Sequence, residues 1–380
     1  MSLTLSQRLQ RCSPKHLIYR SRLPFRRKRW RTELWDSVSP YLARSTPQLE
    51  GPLVIVADLT NTHGLARAAQ YEIERLAAVH SELVTIDIAP TLKDRKRTKP
   101  VLTPLNAPAS QVYLLTQPDN LGKGLAHLRP EDIAGARRTA LWVWENNAFP
   151  RGWQFVFDLV DEVWTPSQFS AQAFRNRSKL PIKVLPHAVS VDKTLEPLPR
   201  ARFGVPDDAF LGIAIMDIQS CPERKNPWAH VAAWQRAFGA SQSHILLMKI
   251  RFGKRTRIVR DELLRMVGQA QNIRIIEEIF TSEDMTRFQR MADVYLSLHR
   301  SEGYGLNIHE MLELGVPTVA TDYSANAEYG PKYPHYFGVD YRLVPYRDWL
   351  AHYEEADFEW ADADVDDAAG KLRALANRIQ

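Results

Sequence analysis

The sequence predicts an α/β protein built from two doubly wound domains that face each other across a cleft. Apolar runs typical of buried strands alternate with segments of helical periodicity, as in parallel sheets flanked by helices. A proline-rich stretch at residues 186–206 lacks a helical pattern and divides these segments into two series. With 380 residues, 44% of them hydrophobic, the chain is long enough for two or three domains with sizeable cores.

Each series contains five predicted strands. Those of the first series are residues 53–57, 83–88, 112–115, 140–143 and 162–164. Those of the second series are residues 211–216, 245–250, 273–276, 294–298 and 317–320. The prolines between the two series predict a hinge. After the second series, an acidic turn at residues 362–367 leads into an Ala- and Leu-rich helix at residues 368–379.

Domain boundaries follow from this order of elements. We expect a basic N-terminal segment at residues 1–50, a first domain at 51–190, a second domain at 191–350 and a C-terminal helical segment at 351–380. Open parallel sheets bind ligands at the carboxyl edges of their strands. Two facing domains therefore give a cleft with one ligand on each side.

Composition excludes several classes of protein. The only cysteines, Cys12 and Cys221, are far apart and give neither a disulfide framework nor zinc-ligand spacing. No apolar run approaches the roughly 18 residues that span a bilayer, and the N-terminus lacks the apolar region of a signal peptide. These features predict a cytoplasmic protein that is neither secreted nor membrane-spanning.

The net charge of +6 is concentrated at the N-terminus. Ten of the 50 basic side chains and none of the 44 acidic ones lie within residues 1–32, which leaves 40 basic against 44 acidic side chains elsewhere. Phe25, Trp30 and Trp35 are interleaved with these cations, which is typical of a segment on an anionic membrane surface. The alternatives are a disordered tail and RNA contact, but no stacking-domain motif accompanies the charge, so no nucleic acid is expected. A second basic cluster lies at residues 93–99. It is either a further contact with the anionic surface or a solvated loop.

A glycine turn between a strand and a helix predicts an anion-binding site at residues 301–310. The apolar run at residues 294–298 precedes the turn, and apolar residues recur at helical spacing after it. Gly303 and Gly305 let the backbone turn tightly and approach a ligand. The free amides of residues 305–307 point outward at a positive helix end, where a phosphate fits.

Two carboxylates flank this turn. Glu302 lies at the end of the strand, and Glu310 lies about two helical turns later. Both would contact a group other than the phosphate, and sugar hydroxyls are the natural partners. The alternative is that both are solvated charges at a helix end.

The seven-residue spacing between Glu302 and Glu310 resembles the E-x7-E motif of retaining GT-B glycosyltransferases of the family 4 type, also called glycosyltransferase group 1. The wider match resembles a bacterial polysaccharide-assembly branch of that family and covers roughly residues 50–370. Its segments are SLHRSEGYGL (297–306), GVPTVAT (315–321), SAN (324–326), WVWE (142–145) with FP (149–150), EVWTPS (162–167) and ERKNP (223–227). The resemblance implies the GT-B fold, in which the first of two Rossmann-like domains binds the acceptor and the second binds the nucleotide-sugar donor.

The resemblance also implies roles on the donor side. Glu310 would accept hydrogen bonds from the nucleoside ribose, and Glu302 would bind hydroxyls of the donor sugar near the reacting carbon. Lys225 and Arg224 would meet the donor diphosphate and stabilise its charge as it leaves. Relatives usually pair this lysine with an arginine a few residues earlier, where this chain has Gln219, so Arg224 is assigned as the second cation. The alternative for both cations is a surface charge that caps a loop. The other donor-binding residues implied are Gly303, Tyr304, Gly305, Leu306, Asn307 and Gly64.

On the acceptor side, the first strand runs into a loop in which Gly64 opens a helix at the cleft. Many relatives carry two adjacent glycines there, whereas this chain has His63 before Gly64, so His63 either reaches the reacting sugar or caps the helix. Trp144 would stack on an acceptor sugar ring, and Glu145 would bind its hydroxyls. Relatives carry a histidine in this neighbourhood, and the alternative here is that Trp142 and Trp144 belong to the core.

The implied reaction moves a hexose from a GDP- or UDP-sugar to a glycan or lipid-linked acceptor, with retention of the anomeric configuration. No cofactor or metal is expected, since the chain has no Asp-x-Asp motif at the end of a predicted strand. Residues 362–364 have the sequence Asp-Ala-Asp, but they lie beyond the last predicted strand. The expected location is the cytoplasm, where the basic segment would place the protein on the inner face of the plasma membrane. The C-terminal helix would pack back on the first domain.

Two other classes of function are compatible with this scaffold. One is a different enzyme, such as a sugar-nucleotide epimerase or a glycogen-synthase-like polymerase. The other is a non-catalytic protein that binds a nucleotide-sugar or a membrane. An epimerase would convert the sugar nucleotide without an acceptor, a polymerase would extend a glucan, and a binding protein would release no nucleotide.

Overall fold

The computed structural model of the chain describes residues 23–60, 64–80, 82–89, 100–268, 271–347 and 358–379, except for the side chains of residues 23–27, 65, 255 and 379. The described residues form two six-stranded parallel sheets with flanking helices, and a separate two-stranded sheet. The first sheet lies within residues 53–184 and the second within residues 210–339.

The first sheet has the strand order β2-β1-β3-β4-β5-β6, and all neighbouring strands run parallel. Its strands are β1 (Leu53–Ala57), β2 (Leu83–Asp87), β3 (Gln111–Leu115), β4 (Arg137–Leu141), β5 (Glu162–Thr165) and β6 (Ile182–Val184). Val54 and Val56 of β1 pack into one hydrophobic cluster, and Leu53 and Ile55 pack into another. Because successive side chains of a strand point to opposite faces, both faces of this sheet are covered.

The helices of the first domain surround this sheet. They are α1 (Leu23–Val38), α2 (Gly64–Ala77), α3 (Leu121–Leu125), α4 (Pro130–Ile133) and α5 (Gln168–Arg175), with short 3-10 segments at Ser39–Tyr41, Pro118–Asn120 and Arg151–Leu159. Leu34 and Val38 of α1 are buried in the same cluster as Val54 and Val56. The end of the basic N-terminal segment is therefore part of the first domain.

The second sheet has the strand order β12-β11-β10-β7-β8-β9 and is also parallel. Its strands are β7 (Phe210–Asp217), β8 (His244–Arg251), β9 (Ile273–Ile276), β10 (Val294–Ser297), β11 (Thr318–Thr321) and β12 (Tyr336–Val339). Its helices are α6 (Pro222–Lys225), α7 (Pro227–Phe238), α8 (Arg257–Val267), α9 (Ser282–Arg290), α10 (Leu306–Glu313) and α11 (Asn326–Tyr329), with 3-10 segments at Arg200–Phe203, Lys254–Thr256 and Gly330–Lys332. Ala214 and Ile213 of β7 pack into different clusters, so this sheet is also buried on both faces.

The C-terminal helix α12 (Val365–Ile379) packs on the second domain. Ala368, Leu372 and Leu375 join the core cluster that also contains Trp234 of α7. The prediction that this helix packs back on the first domain is wrong, because its apolar face is buried against α7. The strand before it reaches the first domain, where the Glu359 amide donates to the side-chain oxygen of Asn147 at 3.1 Å.

All ten predicted strands are present, with ends shifted by a few residues. Two short strands of the parallel sheets were not predicted, β6 and β12, and neither was an antiparallel hairpin of β13 (Tyr341–Pro345) and β14 (Glu359–Ala363). β6 and β12 lie at sheet edges and are mostly half-buried, and their apolar runs are interrupted by Lys183 and Gly338. Asp362 lies in β14 and not beyond the last strand, and it forms an ion pair with Arg300 at 2.8 Å.

Among the described residues, no helix is both long and apolar enough to cross a membrane. Within the same part of the chain, no group of three or more His, Cys, Asp or Glu side chains is arranged to hold a metal ion.

Candidate functional site

A cleft of about 440 Å³ lies between the two domains at the carboxyl ends of their parallel strands. The first domain contributes Gly64 at the start of α2 and residues that follow β4, among them Val143 and Glu145. The second domain contributes residues that follow β7, β9 and β10. Side chains of both domains therefore meet in one space, as expected for facing parallel sheets.

The glycine turn between β10 and α10 contacts the first domain directly. The Ser167 hydroxyl donates to the Gly303 carbonyl at 2.8 Å. A Cβ atom at position 303 would lie 2.5 Å from Val143 Cγ1, so only glycine permits this approach. Gly305 has a φ of +83°, a left-handed conformation that favours glycine, and it immediately precedes α10. Leu306 and Asn307 follow at the wall of the cleft, beside the helix end where an anion is stabilised.

Two cations and two carboxylates form a compact set at the centre of the cleft. Lys225 Nζ contacts Glu302 Oε1. Arg224 Nη1 lies 3.2 Å from Glu302 Oε2, and its Nη2 lies 3.1 Å from Glu145 Oε1. Arg224 also donates to the Ser301 carbonyl at 3.1 Å, which fixes its guanidinium against the glycine turn. The interpretation of the two cations as surface charges is therefore wrong, since the side chain of Arg224 is only 6% exposed.

The electrostatic environment keeps Glu302 and Arg224 ionised. Burial opposes ionisation of Glu302, but the positive charges of Lys225 and Arg224 outweigh it and lower the pKa of Glu302 to about 2. Burial also opposes the charge of Arg224, but the carboxylates of Glu145 and Glu302 raise its pKa above the ordinary arginine value. Glu302 and Arg224 are therefore charged at neutral pH, and the alternative of Glu302 as a solvated helix-end charge does not apply.

Glu310 lies on α10 with its side chain fully buried. Gln289 Nε2 donates to Glu310 Oε2 at 2.9 Å from α9. On the other side, Arg67 Nη2 of α2 contacts Glu310 Oε1. Glu310 is therefore a buried carboxylate held between a second-domain amide and a first-domain cation, and not a solvated charge.

Hydrogen bonds of Tyr304 hold the glycine turn in place. Its hydroxyl donates to the His187 carbonyl at 3.1 Å and lies 2.8 Å from His309 Nδ1. The Tyr329 hydroxyl donates to the carbonyls of Tyr304 and Gly305 at 2.9 and 3.0 Å. These contacts tie the turn to the inter-domain crossover at His187, and Tyr304 also lines the cleft.

Several residues of the cleft were not predicted from the sequence. Arg67, Lys249 and Arg251 all line it, and Lys249 is buried enough that desolvation lowers its pKa. A signal for Lys249 and Arg251 is present, since both are cations at the carboxyl end of the otherwise apolar strand β8. Arg67 has a comparable signal, because a cation in the first turn of a helix opposes the helix dipole. Gln219, at the position where relatives carry an arginine, packs against Gly253.

The structure corrects the assignment of Trp144. Its side chain is 4% exposed and packs against Phe149, Trp153 and Phe174, with ring centroids 4.9, 5.9 and 6.5 Å away. Its indole Nε1 donates to the Ala148 carbonyl at 2.8 Å. An indole enclosed by three aromatic rings cannot stack on a sugar, so Trp144 belongs to the core.

The other predicted acceptor-side residues have different outcomes. Glu145 lines the cleft and contacts Arg224, while His63 lies outside the described residues.

A second, smaller cavity of about 100 Å³ lies at the carboxyl edge of the first sheet. Its wall includes the buried side chains of Asp58 and Thr116, and the Thr116 hydroxyl has no hydrogen-bond partner within the described part of the chain. Ala68 and Val143 line both cavities, so the smaller one adjoins the cleft.

Solved structures share this architecture. The HepE protein of Anabaena, in complex with UDP and glucose, is 12% identical, with 87% of this chain and 91% of that chain covered and a TM-score of 0.58. A trehalose-6-phosphate structure from E. coli, bound with UDP-2-fluoro glucose, is 11% identical, with 86% and 93% covered and a TM-score of 0.57. WaaG, a glycosyltransferase involved in lipopolysaccharide biosynthesis, is 13% identical, with 73% and 82% covered and a TM-score of 0.50.

Neither a protein-family model nor a curated protein sequence matches the chain. At such low identities the likeness to solved structures concerns the fold. The two parallel sheets with their flanking helices and these structural neighbours show that the chain has an α/β fold of the GT-B type.

Proposed function

We propose that this protein is a retaining glycosyltransferase of the family 4 type that transfers a sugar from a nucleotide-sugar to a glycan or lipid-linked acceptor in polysaccharide assembly. The observation that carries the proposal is the set of Lys225, Arg224 and Glu302 beside the Gly305 turn, inside the cleft of a GT-B fold. These groups match the chemistry of a leaving nucleoside diphosphate.

The donor side of the cleft offers a partner for each part of a nucleotide-sugar. The amides that open α10 and the two cations would bind the diphosphate, whose negative charge grows as it leaves. Glu310 would accept hydrogen bonds from the ribose, and Glu302 would bind hydroxyls of the donor sugar. HepE contains UDP and the E. coli structure contains a UDP-sugar, which supports a UDP-sugar as the first donor to test and a GDP-sugar as the second.

The environment of Glu302 argues against a covalent route to retention. Both of its oxygens contact cations, and its pKa of about 2 makes it a weak nucleophile. The acceptor hydroxyl would instead attack from the face that the diphosphate leaves. The bond between the anomeric carbon and the phosphate oxygen breaks, the acceptor oxygen bonds to the same face, and a donor phosphate oxygen takes the acceptor proton.

The smaller cavity on the first domain supports a hydroxylated acceptor. A cavity needs about 10 to 15 Å³ to hold one water. The cavity of about 100 Å³ is therefore large enough for a group of roughly one sugar ring. A buried hydroxyl without a partner, as at Thr116, is costly unless a ligand or water satisfies it. Asp58 would bind acceptor hydroxyls on the same wall.

A calorimetric panel of UDP-, GDP-, ADP- and dTDP-sugars tests the donor, with Glu310→Ala as the informative variant. Loss of one charged hydrogen bond should weaken donor binding by about 1.5 to 3 kcal/mol, roughly 10- to 100-fold. Glu313→Ala is the matched control, because Glu313 lies on the same helix but is 31% exposed and contacts Lys193, whereas Glu310 is buried against Arg67 of the cleft wall. Equal donor affinity for the parent and Glu310→Ala would contradict the proposed site.

Analysis of the reaction products with each donor separates the rival functions. Conversion of donor without an acceptor would indicate an epimerase, extension of a glucan would indicate a polymerase, and binding without nucleotide release would indicate a binding protein. NMR of the product from an α-linked donor should show an α-linkage, and EDTA should not abolish transfer. A β-linked product would refute retention.

We further propose that the basic N-terminus holds the protein on an anionic membrane surface, where a lipid-linked acceptor would be met. Lys28, Arg29 and Trp35 of α1 are exposed, which leaves them available to headgroups. Trp30 is not, because it packs against Trp153 with ring centroids 4.4 Å apart. Residues 1–22 and the cluster at residues 93–99 lie outside the described residues.

Deletion of residues 1–22 tests this role without removing α1, whose apolar side chains are part of the first-domain core. Binding to vesicles with anionic lipid should fall on deletion and with added salt, whereas donor affinity should stay unchanged. Equal sedimentation of the full chain and the truncated protein would show that residues 1–22 do not hold the protein on the membrane.

A further inference from the structure

Arg67 and Glu310 form an ion pair between the two domains, at the wall of the cleft. Arg67 lies in the first turn of α2 in the first domain, and Glu310 lies on α10 in the second domain. Arg67 Nη2 contacts Glu310 Oε1, with side-chain exposures of 24% and 0%. This contact therefore joins the two domains at the carboxylate that is proposed to bind the donor ribose.

The two oxygens of Glu310 face different domains. Gln289 Nε2 donates to Oε2 at 2.9 Å from α9, within the second domain. Oε1 is the oxygen that meets Arg67, which approaches from the first domain. Because Arg67 lines the cleft, a ribose that enters there would reach Glu310 from the side on which Arg67 lies. Arg67 and the ribose hydroxyls therefore compete for Oε1.

A second contact shows where Arg67 can go when it leaves Glu310. Arg67 Nη1 lies 3.5 Å from Asn307 Oδ1, beside the amide turn that opens α10. The proposed diphosphate site is therefore adjacent to the guanidinium. A partly buried guanidinium that loses its carboxylate needs another anion, and its planar fork matches the oxygens of a phosphate.

We propose that Arg67 exchanges partners when the donor binds, leaving Glu310 for the ribose and binding the donor diphosphate instead. This inference rests on the proposed glycosyltransferase function and adds Arg67 to its donor-binding residues. The first domain thereby supplies a cation that completes the diphosphate site, and donor binding requires both domains. A nucleoside without phosphates must break the Arg67–Glu310 pair and offers no anion in return.

The exchange gives opposite effects on two ligands when Arg67 is replaced by glutamine. Removal of the competitor should make Arg67→Gln bind uridine several-fold more tightly than the parent. Loss of the charged contact to phosphate should make the same variant bind UDP roughly 10- to 100-fold more weakly. Calorimetry with uridine and UDP measures both, with guanosine and GDP used instead if the donor panel selects that base.

Arg200→Gln is the matched control, because Arg200 forms a partly buried ion pair with Asp293 at 2.8 Å outside the cleft. We expect it to change neither affinity. If Arg67→Gln weakens both ligands equally, or leaves the affinity for UDP unchanged, the partner exchange is wrong while the proposed function stands. If the parent binds no nucleotide at all, the proposed function fails and the exchange fails with it.

A double-mutant cycle of Arg67→Gln and Glu310→Gln tests the ion pair in protein without nucleotide. Each single variant should lower the midpoint of thermal unfolding, and the double variant should lose less than the sum of the two, since both remove the same contact. Additive losses would show that the side chains do not interact, which would overturn the inference whatever the protein binds.

Discussion

Replacement of Lys225 by alanine is expected to lower kcat for sugar transfer by about 100- to 1,000-fold, the effect typical of removing one donor that stabilises a developing negative charge. Lys225 contacts Glu302 in the cleft, at the position proposed for the leaving diphosphate. Steady-state kinetics with the donor identified by the panel measures the change. Because Arg224 still neutralises Glu302 in the variant, we expect the protein to remain folded.

Lys371→Ala is the control for this prediction. Lys371 is a comparably buried lysine that contacts Asp367 on α12, at 27% exposure against 21% for Lys225. Its loss should leave kcat unchanged. Lys225→Arg should recover part of the activity, since it restores the charge with a different shape. A Lys225→Ala enzyme with parental kcat would rule out this lysine as the cation of the leaving group.

Replacement of Trp144 by alanine is expected to destabilise the first domain by about 3 to 5 kcal/mol, the range for truncation of a large aromatic side chain in a core. The indole packs against three aromatic rings and donates a hydrogen bond to the Ala148 carbonyl. Chemical denaturation followed by tryptophan fluorescence measures the loss.

Trp35→Ala supplies the comparison for a tryptophan on the surface. Trp35 is 42% exposed and meets Phe155 edge-on at 5.4 Å, so its removal should destabilise the protein much less. The result that would restore Trp144 to the acceptor site is a variant of parental stability with a raised KM for the acceptor.

The central strands of both sheets could be predicted because a parallel strand buried on both faces is a continuous apolar run. β1 and β7 are of this kind, with all or nearly all of their residues buried. The edge strands β6 and β12 were not predicted, and each contains a residue that interrupts its apolar run, Lys183 in β6 and Gly338 in β12. Helix α12 was predicted as an element, but the surface it covers depends on where α7 lies in space.

Part of the candidate site could likewise be predicted from the sequence, and part could not. Glu302, Gly305 and Glu310 lie within a few residues of one another, and their spacing indicated an anion site flanked by carboxylates. Arg224 and Lys225 were reached through family resemblance. The smaller cavity on the first domain was not predicted at all, because its wall combines residues from several strands and helices.

By itself the sequence determined the alternation of strands and helices, the division into two domains and the local motif at residues 301–310, because these depend on periodicity and on neighbours along the chain. Only the tertiary structure decided that Trp144 is buried, that α12 lies on the second domain and that Arg67 meets Glu310. The contacts of α12 with α7, of Arg67 with Glu310 and of Trp144 with Phe174 join residues that are distant in the chain. Burial and ion pairing depend on distances in space, and those are fixed only when the two sheets pack against their helices and against each other.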